Sequence, residues 1–158
     1  MFRELTRKNK QLPPEECTAI LKTEKRGVLS VAGDDGYPYG MPMNHYYSEK
    51  DGNLYFHCGR SGHRLDALRR WNKVSFCVYD SGYREEGGWA MHIRSVIVFG
   101  RMEILDDPEL VADIAAGLSR KFTDDEAYIR EEIRRYGAET LMLKLTPEHI
   151  CGKLVTES

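Results

Sequence analysis

Two Asp-Gly pairs, Asp35-Gly36 and Asp51-Gly52, stand close together between runs of apolar and aromatic residues. Asp-Gly tolerates the positive φ that a tight hairpin requires, so each pair joins antiparallel strands and forces local pairing on the first third of the chain. Gly27 to Ala32 is a short apolar strand that turns at Gly33-Asp34-Asp35-Gly36, and Tyr39 to Tyr47 returns beside it. Ser48 to Gly52 then turns the chain into Asn53 to Cys58. Farther on, Val74, Phe76 and Val78 alternate with Ser75, Cys77 and Tyr79, the period of a strand. Trp89 to Leu105 is long enough for an extended, bent strand, apolar on both faces around Val96 to Phe99. Leu141, Leu143 and Leu145 alternate in a last strand that stops before Pro147.

Helices fill the gaps. Pro13-Pro14-Glu15-Glu16 opens one, with Cys17, Ile20 and Leu21 on its apolar side. Leu65, Leu68 and Trp71, with Ala67, mark a short second helix. Asp106-Asp107-Pro108 opens a third, carrying Leu110, Ile114 and Leu118, and Thr123 to Glu126 precedes a fourth over Tyr128 to Tyr136. Six hairpin-linked strands with short peripheral helices predict a mainly β (α+β) antiparallel barrel rather than a parallel α/β sheet. No composition shift, repeat or low-complexity stretch divides residues 1–158, so one domain is expected.

Composition narrows the function. A chain of 158 residues buries about two-thirds of its unfolded surface, enough for a core without metal or disulfide. A net charge of −2 speaks against nucleic acid, which calls for a basic stripe. No apolar run approaches the roughly 20 residues of a membrane span, and the charged start Met1-Phe2-Arg3-Glu4 lacks the apolar stretch of a signal peptide. Cys17, Cys58, Cys77 and Cys151 are widely spaced with no C-x-x-C pair, as in a reducing, cytoplasmic setting. P-loop, G-x-G-x-x-G, H-E-x-x-H and G-x-S-x-G signatures are missing. His45, His57, His63 and His92 fall on separate elements, so no metal site is expected.

The chemically pointed stretch is Cys58-Gly59-Arg60-Ser61-Gly62-His63-Arg64, between a strand and a helix. The free N–H groups of a helix start already amount to roughly half a positive charge. Adding Arg60, His63 and Arg64 there is unfavourable unless an anion sits among them. Glycines, a serine hydroxyl and cations at a helix N-terminus suit a phosphate; the alternative is a solvated basic loop.

Tyr37-Pro38-Tyr39-Gly40-Met41-Pro42-Met43-Asn44, Leu54-Tyr55-Phe56-His57, Gly62-His63-Arg64-Leu65-Asp66, Val74-Ser75-Phe76-Cys77-Val78 and Ser95-Val96-Ile97-Val98-Phe99-Gly100-Arg101 resemble the flavin-binding split barrels related to pyridoxamine 5'-phosphate oxidase. Within that superfamily they are most similar to the nitroimidazole-resistance branch. The resemblance runs from about Gly27 to Leu105. It implies a split β-barrel and a homodimer with FMN at each end of the subunit interface. It also names the anion as the FMN phosphate, held by Gly62, His63, Arg64 and Leu65 with Arg60 or Ser61 as helpers. Met43 and Asn44 would lie along the isoalloxazine ring, with His57 and Cys58 lining the same site, and Ser95 and Val96 would come from the partner subunit. Met43, Leu65 and Val96 also read as plain core, and His57 as a histidine satisfied by a carbonyl.

Pyridoxamine 5'-phosphate oxidases proper grip the substrate phosphate with a C-terminal segment rich in arginine, whereas here no arginine follows Arg135. The expectation is therefore an FMN-dependent reductase passing electrons to a small acceptor such as a nitroaromatic, with His57 as proton donor, and not vitamin-B6 oxidation. A non-catalytic flavin, deazaflavin or haem binder on the same barrel is the alternative.

Overall fold

A computed structural model describes residues 1–157. The strands are β1 (Arg26–Ala32), β2 (Pro38–Asn44), β3 (Tyr46–Tyr47), β4 (Leu54–Cys58), β5 (Lys73–Tyr79), β6 (Met91–Leu105) and β7 (Leu141–Glu157). The helices are α1 (Pro14–Thr23), α2 (His63–Arg70), α3 (Pro108–Ser119) and α4 (Glu126–Tyr136). All strand pairings are antiparallel, in the order β2-β1-β5-β6-β7-β4-β3. β2 and β3 stand at opposite ends of that order yet are separated by one residue, His45. The sheet therefore curls until its two edges meet at that residue.

There are seven strands where six were expected, because the second one breaks at His45. Residues 38–44 pair with β1, and 46–47 cross to β4. Hydrophobic alternation runs through both pieces and carries no mark of the change of partner. The break is held from outside the strands. The buried His45 ring donates through Nε2 to the Leu21 carbonyl of α1 at 2.7 Å. Lys121 Nζ donates to the His45 carbonyl at 2.8 Å and to the Glu24 carbonyl at 2.5 Å.

The turns behave as the Asp-Gly chemistry requires. Asp35 and Gly36 both take positive φ, 55° and 79°. At the second turn the Asp51 carboxylate accepts from the Asn53 N–H at 3.0 Å and from the Tyr55 hydroxyl at 2.5 Å. Pro14 is the first residue of α1, whose Cys17, Ile20 and Leu21 are buried against the barrel. Asp107 caps α3 by accepting from the N–H groups of Glu109 and Leu110 at 3.0 and 3.1 Å, and Asp125 caps α4 in the same way.

Three local expectations are corrected. The last strand continues through Pro147 to Glu157, because Pro147 sits where the β6–β7 register shifts beside Phe99 and Gly100, and a bulge asks no N–H of it. Trp71 is not on the apolar face of α2; it follows the helix in extended backbone, more than half exposed. On α3 the buried face is Val111, Ile114 and Leu118, with Leu110 turned outward.

The barrel interior holds Leu29, Phe56, Phe76, Val96, Val98 and Leu143, all fully buried, and Phe56 meets Phe76 edge-on at 4.9 Å. A smaller cluster of Tyr55, Val111, Ile114 and Met142 mounts α3 outside β4 and β7. The two faces of β6 divide: Val96 and Val98 point inward, while Ile97 and Phe99 stay more than a third exposed. Register places Val28, Cys77, Ile97 and Cys151 in one row across four strands of the outer face. No helix among the described residues is long and apolar enough to cross a membrane.

Candidate functional site

β4 ends at Cys58, and α2 begins after the turn Gly59–Gly62. Gly62 adopts φ 124°, where a side chain would be strained, and no side chain caps the helix, so its first-turn N–H groups stay free. Nothing stands within 4 Å of where a Cβ would sit on Gly59 or Gly62, so a ligand can approach the bare backbone.

The three cations of this turn take different paths. Arg60 leaves it: its guanidinium makes a bidentate pair with Asp106 (3.0 and 2.7 Å), and Nε donates to the Ala138 carbonyl at 2.9 Å. His63 stacks on Tyr39 at 4.3 Å and leans toward Asp34, 3.4 Å away, which also takes Arg70 at 2.6 Å. Only Arg64 keeps its charge uncommitted. Its Nε donates to the Met41 sulfur at 3.0 Å, and it has no carboxylate partner among the described residues. Arg60 and His63 thus lie against acids elsewhere in the chain, which softens the repulsion read from the sequence and concentrates the anion-binding case on Arg64.

Arg64 lines a pocket of about 530 Å³ with Arg26, Pro42, Met43, Asn44, His57, Cys58 and Gly59. The chain therefore brings together five of the residues singled out from sequence: Met43, Asn44, His57, Cys58 and Arg64. Arg26 was missed. It lies opposite Asn44 in the β1–β2 ladder, a register set by the closing of the turn on Tyr37 rather than on Gly36. With Arg26 and Arg64 on its wall and no acid, the pocket is electropositive.

Other expected residues lie apart. Ser61 is exposed, and Ser61 and His63 do not line the pocket. Leu65 and Val96 are core side chains, so only their backbones could meet a ligand. Ser95 donates to the Lys153 carbonyl at 3.4 Å and, like Val96, lines no pocket with these residues in its own chain.

Partial desolvation of the His57 ring, together with the Arg64 charge, holds its pKa below the usual 6.5, so the imidazole is neutral at pH 7. Desolvation likewise raises the Cys58 thiol, against the pull of Arg64, so it stays protonated. Among the described residues no group of three His, Cys, Asp or Glu side chains converges as a metal site.

A second pocket, about 500 Å³ and mostly apolar, lies between α3, α4 and the barrel and shares Asn44 and His57 with the first. The helices were legible in the sequence; the space beneath them was not, because it depends on how α3 and α4 stand off from the sheet.

Residues 13–154 match the family described as pyridoxamine 5'-phosphate oxidase. The chain belongs to that family. Among solved structures it is similar to a protein assigned to 5-nitroimidazole antibiotic resistance from Bacteroides thetaiotaomicron (20% identity, TM-score 0.77, covering 93% of this chain and 87% of that one). A conserved hypothetical protein from Mycobacterium tuberculosis is also similar (18% identity, TM-score 0.79, covering 95% and 90%). So is an FAD-binding protein from Mesorhizobium loti (25% identity, TM-score 0.68, covering 92% and 97%). Among proteins of curated function none matches. The likeness extends over nearly the whole chain, well beyond the central strands that carry the sequence resemblance.

Proposed function

We propose that this member of the pyridoxamine 5'-phosphate oxidase family binds FMN in the electropositive pocket and acts as a reductase toward a small aromatic acceptor such as a nitroaromatic. The observation that carries the proposal is the pair of uncommitted guanidinium groups, Arg26 and Arg64, beside a bare glycine turn and the backbone of β2. A phosphate dianion fits that donor set: Arg64, the free N–H groups of the first turn of α2, and the backbone of Gly59 and Gly62. Met43 and Asn44 offer main-chain groups to the edge of a flat ring. When bound, FMN would supply the electron transfer, while the protein orients it and adjusts its potential through hydrogen bonds.

The chain's own contribution is positional. Neutral His57 stands at the junction of both pockets and can hydrogen-bond an acceptor there. A proton from His57 becomes available as pH falls below 6.5 toward its lowered pKa, so a His57-dependent rate should increase in that direction. Replacing His57 with Ala should lower turnover by about a hundredfold if it donates that proton, with FMN affinity much less affected.

The homodimer belongs to the same proposal. The row Val28, Cys77, Ile97 and Cys151 is an apolar strip on the outer face that a second copy could cover, and Ser95 would then be presented to the partner's site. Sedimentation of the loaded protein should give a dimer at micromolar concentration.

The deciding experiment combines the absorption spectrum of the purified protein with anaerobic nitroimidazole consumption. A flavin spectrum with consumption from a reduced donor supports the proposal. A haem or deazaflavin spectrum contradicts the cofactor, and a flavin-loaded protein that consumes no nitroimidazole with any donor contradicts the reductase.

A further inference from the structure

We infer that the apolar pocket between α3, α4 and the barrel is a second binding site, selective for small aromatic molecules carrying a positive charge or an N–H donor. The first observation is its construction. Val111, Leu118, Phe122, Ile133, Tyr136 and Met142 give an apolar and aromatic wall around about 500 Å³, the size of a small-molecule site.

The second is its charge. Four ionisable side chains besides Tyr136 reach the pocket: His57, Arg60, Asp106 and Glu132. Arg60 and Asp106 cancel each other through their bidentate pair, and His57 is neutral. Glu132 makes no hydrogen bond or ion pair among the described residues, although it is half-buried in an apolar setting. One unmatched carboxylate on such a wall attracts a cation or an N–H donor and repels an anion.

The third is the location. The pocket meets the electropositive one at Asn44 and His57, so its occupant lies beside whatever the first pocket holds. Arg60 fixes the boundary by tying the β4–α2 turn to the start of α3 at Asp106 and to Ala138 after α4. In this sense Arg60 is a positioning residue of the second pocket rather than a phosphate ligand. The inference deepens the reductase proposal by naming the acceptor's class, and its binding test stands independently of turnover.

The test uses three probes of similar size, 4-nitrobenzylamine (a cation at pH 7), 4-nitrobenzyl alcohol and 4-nitrobenzoate, titrated calorimetrically into the protein as purified. The amine should bind roughly five- to tenfold more tightly than the benzoate, the scale of one partly solvated ion pair. Glu132→Gln, nearly isosteric, should erase that preference and leave the alcohol unchanged. Ala112→Phe, which fills the pocket from α3, should weaken all three probes while FMN affinity stays within about twofold and the melting curve remains cooperative. Benzoate binding as tightly as the amine would overturn the inference, as would a preference that survives Glu132→Gln. Loss of FMN together with the probes in Ala112→Phe would mean that the two pockets form one cofactor site. Wild type that binds the amine but no FMN would sink the cofactor proposal and leave this one standing.

Discussion

The seam at His45 and the turn after β4 handle the same kinds of side chain in opposite ways. At the seam, a histidine and a lysine are drawn inward and spent on backbone. His45 donates to the Leu21 carbonyl, and Lys121 bridges the carbonyls of Glu24 and His45 across the join between β2 and β3. Burial pushes Lys121 down to about 8 and His45 down to about 4, which shows how costly charge is at that place. At the turn, Arg64 reaches a pocket wall with only the Met41 sulfur as partner, and the helix start behind it has no cap. The basic side chains that hold the barrel closed, Lys121 and the neutral His45, have their partners inside the chain. Arg64, proposed above as a ligand-binding group, has no acidic partner among the described residues.

The largest effect should come from breaking the seam. Lys121→Met keeps the stem but orphans two carbonyls, and it should cost about 3 kcal/mol in urea denaturation. A loss below about 1 kcal/mol would mean that water replaces the ammonium, and that the seam is no more committed than the turn.

A comparable but pH-gated effect belongs to His45. Its Nε2 carries the proton given to Leu21, while Nδ1 is buried without a partner. A second proton on Nδ1 would therefore be an unpaired buried N–H. Folded His45 titrates near 4 against an unfolded value of 6.5, so between those values the unfolded chain binds more protons. The contribution is fully present above 6.5 and is lost as pH falls toward 4, amounting to about 3 kcal/mol. His45→Gln should flatten that part of the stability profile. Equal acid sensitivity in wild type and variant would assign the loss to other groups.

What the sequence discloses follows the range of the interaction. The Asp-Gly turns, Pro14 at the start of α1, and the Asp107 and Asp125 caps act within a few residues, and each could be read directly. The basic glycine turn carrying Arg64 was legible in the same way, whereas the grouping of Met43, Asn44, His57 and Cys58 with it came only through the family resemblance, because β2 and β4 are not paired and only the curl of the sheet brings them together. The partners of Arg60 could not be read, since Asp106 and Ala138 come from distant segments and only folding brings them to the β4–α2 turn. The break at His45 was hidden for the same reason: its stabilising contacts arrive from α1 and from the end of α3. Pro147 misled because a local rule against proline in strands gives way at a bulge set by pairing with β6.

The central claim, that Arg64 is held in reserve for a phosphate, is tested by titrating wild type and Arg64→Ala with FMN and with riboflavin, which shares the ring but lacks the phosphate. Removal of one charge-assisted bond should weaken FMN about ten- to a hundredfold, some 1.4 to 2.8 kcal/mol. Riboflavin affinity should barely move, and urea stability without ligand should change by less than about 0.5 kcal/mol. Equal losses for FMN and riboflavin would contradict the phosphate assignment and make Arg64 part of the scaffold, as Lys121 is.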